Sequence, residues 1–96
     1  MESKLTDSVI ELIIETLSDA GVQTPSRADL IQALEQRMTE RDWAASYAQA
    51  LITPNEYAGA LLQFALHTFL TADALKAIAP AQFESQRQKI ADALMA

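Results

Sequence analysis

The chain contains no cysteine, which excludes a disulfide framework, a thiolate metal centre and a cysteine nucleophile. One histidine and two glycines leave little material for an imidazole metal cluster or a glycine-rich loop that cradles phosphate. Bases are scarce. Seven lysines and arginines against thirteen acids give a net charge of −6, the wrong sign for neutralising a nucleic-acid backbone. The longest uncharged segment, Tyr57 to Ala72, is interrupted by Gln63, His67, Thr68 and Thr71 and falls short of the roughly 20 apolar residues that cross a bilayer. A secretory leader is not expected either, because Glu11 and Glu15 break the candidate run from Val9 to Leu17. Strand alternation and Asn-Gly or Asp-Gly hairpin turns are missing as well. Together these absences predict a cytoplasmic protein with no metal, no cofactor, no membrane span, no direct nucleic-acid binding and no catalytic activity.

What is present is apolar and helical. Half of the 96 residues are hydrophobic, enough for one modest core in a single domain of this length. On a wheel of 100° per residue, Leu5, Val9, Ile10, Leu12, Ile13, Ile14 and Leu17 share one side. Asp7, Glu11, Glu15 and Asp19 share the other, and Gly21 supplies the stop. Ser26 with Asp29 three residues later reads as the cap of a second helix. Its stripe of Leu30, Ile31, Leu34 and Met38 is out of phase with Trp43, Tyr47 and Leu51. That mismatch predicts a break near Thr39–Arg41, with Thr39 and Asp42 as a new cap.

Thr53-Pro54-Asn55-Glu56 combines a capping hydroxyl, a first-turn proline and an anion where the helix dipole favours one. The helix it opens is apolar nearly all round to Leu70, which predicts a central position. Thr71 and Asp73 start a short helix to Ile78, and Pro80 opens the last one, with Phe83, Ile90 and Leu94 in its stripe. The expected fold is therefore all-α: a single small domain, an orthogonal or irregular bundle of five to six helices near 5–20, 26–39, 40–52, 54–70, 72–78 and 80–95.

Two features point outward. The first is the acidic ridge of Asp7, Glu11, Glu15 and Asp19, with no base between Leu5 and Ser26. Like charges one turn apart oppose the helix, so the ridge needs an offset: burial of the wide apolar face, or a basic partner. That apolar face spans about 200° of arc, more than one packing contact uses. The second is Arg87, set inside the stripe of Phe83, Ile90 and Leu94, where a guanidinium must snorkel, pair with a carboxylate or meet a partner. Trp43 is expected in the core. So is His67, or else at the core boundary, hydrogen-bonded in either place. A helix-turn-helix over 26–52 fails on charge, because its second helix would carry Glu40 and Asp42 beside a single base, Arg41.

These features predict a small acidic protein-binding module, an adaptor, inhibitor or accessory factor that acts through helix faces. The expected partners are another protein, a basic one on grounds of charge, and a second copy of the chain in a homodimer. The candidate contact residues are Asp7, Glu11, Glu15, Asp19, Phe83, Arg87, Ile90 and Leu94. The alternative is a binder of an apolar small ligand or cofactor, with His67 or Gln63 as the polar handle of a pocket.

Overall fold

Short hydroxylated side chains set three of the six described helix starts. The computed structural model describes residues 7–21, 23–40 and 43–95. Among these the chain forms six α-helices and no strand: α1 (Asp7–Asp19), α2 (Arg27–Glu40), α3 (Trp43–Ala48), α4 (Pro54–Phe69), α5 (Ala72–Lys76) and α6 (Pro80–Met95). Ser26 Oγ accepts the Asp29 amide at 3.1 Å, Thr53 Oγ1 accepts the Glu56 amide at 3.1 Å, and Thr71 Oγ1 accepts the Ala74 amide at 3.1 Å. Each satisfies an amide that the first helical turn leaves without a partner. Gly21, at φ +79°, ends α1 in the left-handed region that glycine enters without penalty.

Two expectations about the middle of the chain need correction. Thr39 does not cap a new helix: its hydroxyl donates back to the Glu35 carbonyl at 2.7 Å, inside the last turn of α2. The next helix is also much shorter than 40–52, since α3 spans only Trp43–Ala48. It closes with the Leu51 amide bonded to the Ser46 carbonyl at 2.9 Å and the Ala50 amide to the Tyr47 carbonyl at 3.1 Å, the paired pattern of a Schellman end. Ala50 takes the left-handed position at φ 58°, a place usually given to glycine. Leu5, Arg41 and Asp42, which the helix reading also used, lie outside the described residues.

α4 is the central element and packs against α1, α2, α3 and α6. Its Leu61, Leu62, Ala65 and Leu66 meet Val9, Ile10, Ile13 and Leu17 of α1, Leu30 and Leu34 of α2, and Ile90 and Ala91 of α6 in one buried cluster. The wide apolar face of α1 is thus largely spent inside the chain, with Leu12 and Ile14 packed at the cluster's edge. Gln86 is the polar exception on α6. It is buried, and its Nε2 donates to Thr16 Oγ1 at 2.8 Å, while Thr16 Oγ1 donates to the Leu12 carbonyl at 2.9 Å. That chain of bonds ties α6 to α1 and leaves the buried amide group answered. Among the described residues, no helix is long and apolar enough to cross a membrane.

Candidate functional site

α4 is not apolar all round. Glu56, Ala60, Gln63 and His67 follow at intervals of four, three and four residues, which keeps them on one stripe. Glu56, Gln63 and His67 are exposed, and Ala60 is half-buried between them. His67 is therefore neither in the core nor hydrogen-bonded within it: the neighbouring Leu66 turns to the core at 2 % exposure, and one step of the wheel carries His67 out to solvent.

Above this stripe lies a half-open cleft of about 610 Å³, within the range of about 300–1,000 Å³ usual for binding pockets. Its floor is Asn55, Glu56, Gly59, Ala60, Gln63 and Phe64 of α4, and its rims are Arg37 of α2, Trp43 of α3, and Phe83 and Arg87 of α6. Trp43 meets Phe64 edge-on, with ring centroids 6.1 Å apart and planes at 73°, a favoured aromatic geometry. Trp43 is accordingly half-buried at the cleft wall instead of enclosed in the core. Behind it, Tyr47 stacks flat on Tyr57 at 4.7 Å, which anchors the short α3 against α4.

Gly59 explains how Arg87 reaches this place. A Cβ at position 59 would stand 3.3 Å from Arg87 Cδ, so the absence of a side chain lets the arginine stem lie across α4. A glycine inside a helix costs about 0.5–1 kcal/mol relative to alanine, and here that cost goes with close packing of the guanidinium stem. Arg87 pairs through Nη2 with Glu84, one turn away on α6. Its Nε is buried and has no hydrogen-bond partner, and the same is true of Trp43 Nε1. Two unanswered donors thus belong to side chains of a single cleft.

No family model, curated protein or solved structure matches the chain. Its function has to be read from the cleft and from the surface around it. Among the described residues, the lining offers aromatic rings, amides, guanidinium donors and one carboxylate, Glu56. Such a set can hold and orient a ligand. Among the described residues, no group of three or more histidines and acids could hold a metal ion.

The remaining sequence-predicted residues are scattered. On the acidic ridge, Arg27 Nη2 contacts Asp7 at 2.5 Å and Arg27 Nη1 approaches Glu11 at 3.8 Å. Glu15 lies 3.4 Å from Gln86 Nε2, and Asp19 is exposed. The base that relieves the ridge thus comes from α2 of the same chain, just beyond the stretch in which the sequence has none. Phe83 and Arg87 meet at the cleft, whereas Ile90 is fully buried and Leu94 half-buried against the core. No α1 residue lines the cleft.

Sequence reasoning missed Arg37, Asn55, Glu56, Gly59, Ala60 and Phe64 as a group. The signal was there in part: a polar stripe and a mid-helix glycine on an otherwise apolar helix. A smaller depression of about 250 Å³ lies beside His67, lined by Gln63, Leu66, Leu75, Ile78 and Phe83. It shares Gln63 and Phe83 with the cleft, so the two adjoin along α4 and α6.

Proposed function

We propose that the protein is a non-catalytic binding module that receives a short segment of a partner protein in the groove between α3, α4 and α6, and that it acts as an adaptor, inhibitor or accessory factor in the cytoplasm. The cysteine-free composition agrees with the cytoplasmic assignment. The observation that carries the reading is the cleft itself: half open, walled by Trp43, Phe64 and Phe83, and floored by small and amide-bearing residues of α4. Aromatic walls that bury an anchoring side chain beside convergent polar groups are the usual anatomy of a peptide-binding hot spot. The half-open form suits a chain that enters and leaves better than a small ligand that must be enclosed. The smaller depression at His67 falls below about 300 Å³, so it favours an extension of the peptide groove over a separate ligand pocket.

The chain's net charge of −6 adds long-range attraction for a partner of net positive charge, which speeds encounter more than it tightens the complex. A two-fold dimer has less support. Leu51 and Met95 are the large apolar side chains left exposed among the described residues, and the α1 face that argued for self-association is packed within the chain.

Selection of binders from a displayed library of short random peptides tests the reading. Ala60→Met fills the cleft from its floor without touching the core. Selected peptides are expected to lose binding to this variant by about tenfold or more. Peptides that bind wild type and variant equally, or a selection that yields none, would contradict the proposal.

A further inference from the structure

We infer that the peptide received in this groove presents a side-chain carboxylate to Arg87 and Trp43, next to an apolar anchor side chain; the inference rests on the peptide-binding reading above. Arg87 Nε and Trp43 Nε1 are both buried and both without an acceptor. Native structures leave few buried donors unanswered, and here two belong to side chains that line one cleft. Both are donors only, an indole N–H and a guanidinium N–H, so the missing group is an acceptor.

The guanidinium charge selects an anionic acceptor over a neutral one, because hydrogen bonds between ionised partners are roughly twice as strong. Glu84 occupies Nη2 but leaves Nε unanswered. It is more than half exposed and sits one turn from Arg87 on the same helix, a surface pair of the weak kind. An incoming carboxylate that takes Nε and Nη2 side-on exchanges this weak contact for a planar, bidentate one.

Among the described residues, the cleft lining carries the guanidinium groups of Arg37 and Arg87 and the carboxylate of Glu56. The smaller depression adjoins the cleft at Gln63 and Phe83, toward His67. A peptide that occupies both supplies the acid from a side chain, not from its terminus. The apolar anchor lies against the rings of Trp43, Phe64 and Phe83 that line the cleft.

The test uses peptides selected on the wild-type protein, each remade with its Asp or Glu replaced by Asn or Gln, and separately with an amidated C-terminus. Binding is read by fluorescence anisotropy against wild type, Arg87→Lys and Trp43→Phe. Arg87→Lys keeps the charge and most of the stem over Gly59 but removes Nε. Trp43→Phe keeps a ring against Phe64 but removes the indole N–H. The side-chain amide swap is expected to weaken binding to wild type about tenfold or more, as are Arg87→Lys and Trp43→Phe for the acidic peptide. The amide peptide keeps one acceptor oxygen but no charge, so it should lose less affinity than the acidic peptide on either variant; circular dichroism checks that the variants are folded. The amide swap on wild type decides the matter even if a variant does not fold.

An amide swap that changes affinity by less than about twofold, in peptides that Ala60→Met still blocks, overturns the carboxylate while the groove stands. Loss on C-terminal amidation alone overturns the side-chain source. Peptides insensitive to Ala60→Met overturn the groove reading itself.

Discussion

Ala50 is the residue at which the structure and ordinary backbone preference disagree most directly, so its replacement by glycine gives a prediction with a definite sign. It closes the Schellman end of α3 at φ 58°. An L-residue held in this region costs about 1–2 kcal/mol. Glycine removes that cost but gives back about 0.4–1 kcal/mol through the greater freedom of its unfolded chain. Ala50 is exposed, so its methyl group contributes no core packing, and the balance for Ala50→Gly is a gain of about 0.5–1 kcal/mol. In a domain of this length that raises the melting midpoint by about 2–8 °C. Gly21→Ala provides the mirror case. Gly21 has φ +79°, and a Cβ there would meet nothing within 4 Å, so the loss is backbone strain alone and of similar size. Thermal and urea unfolding followed by circular dichroism measures both. A lower midpoint for Ala50→Gly, or a shift of the same sign in both variants, would refute the left-handed termination of α3.

The remaining predictions concern the core and its polar contacts. Leu62→Ala, at a fully buried site on the central helix, should cost about 2–5 kcal/mol in urea unfolding; a loss below about 0.5 kcal/mol, the range of surface sites, would remove α4 from the centre. Gln86→Ala should cost about 1–3 kcal/mol through a cavity and a lost hydrogen bond. Gln86→Leu should stay within about 1 kcal/mol of wild type, since Thr16 keeps the Leu12 carbonyl as its acceptor. Burial, with a smaller push from neighbouring Tyr47, raises the Tyr57 phenol above its ordinary value. The unfolded chain then releases this proton first, so stability is fully present below the unfolded value of about 10 and falls as pH rises through the folded one. Tyr57→Phe should flatten that alkaline decline in a pH series of unfolding midpoints, and an unchanged slope would count against the burial of the hydroxyl.

Much of the fold was legible because its signals are local. Ser26, Thr53 and Thr71 announce helix starts through side chains that bond amides three residues on, and Gly21 announces a stop through its own backbone freedom. The split of α1 into Val9, Ile13 and Leu17 against Glu11 and Glu15 needs only the helical period. The end of α3 was not legible, because an alanine stands where the left-handed turn normally advertises itself with glycine. Thr39 misled for a related reason: a threonine hydroxyl serves equally well as a cap or as a donor to the carbonyl one turn back.

The candidate site was legible only in fragments. Gln63, His67, Phe83 and Arg87 each stood out in the sequence, yet their assembly depends on how α3 and α6 cross α4. Gly59 leaves room there for the Arg87 stem, whose Cδ would stand 3.3 Å from a Cβ at that position. The counter-charge that meets Asp7, Arg27, is remote along the chain and adjacent only in space, so the sequence does not reveal that pairing.

The central claim is that the groove beside Trp43 is where a partner peptide docks. The chain has one tryptophan, so its indole N–H gives a single, unambiguous cross-peak in a ¹H–¹⁵N spectrum. Titration of the labelled protein with a selected acidic peptide is predicted to move that indole signal downfield, as the proton acquires an acceptor. Gly59, Ala60, Phe64 and the Gln63 side-chain amide should shift at the same peptide concentration. A saturable titration that leaves the indole and Gly59 in place while amides along Asp7–Asp19 move would contradict the account and return the binding surface to the acidic face of α1.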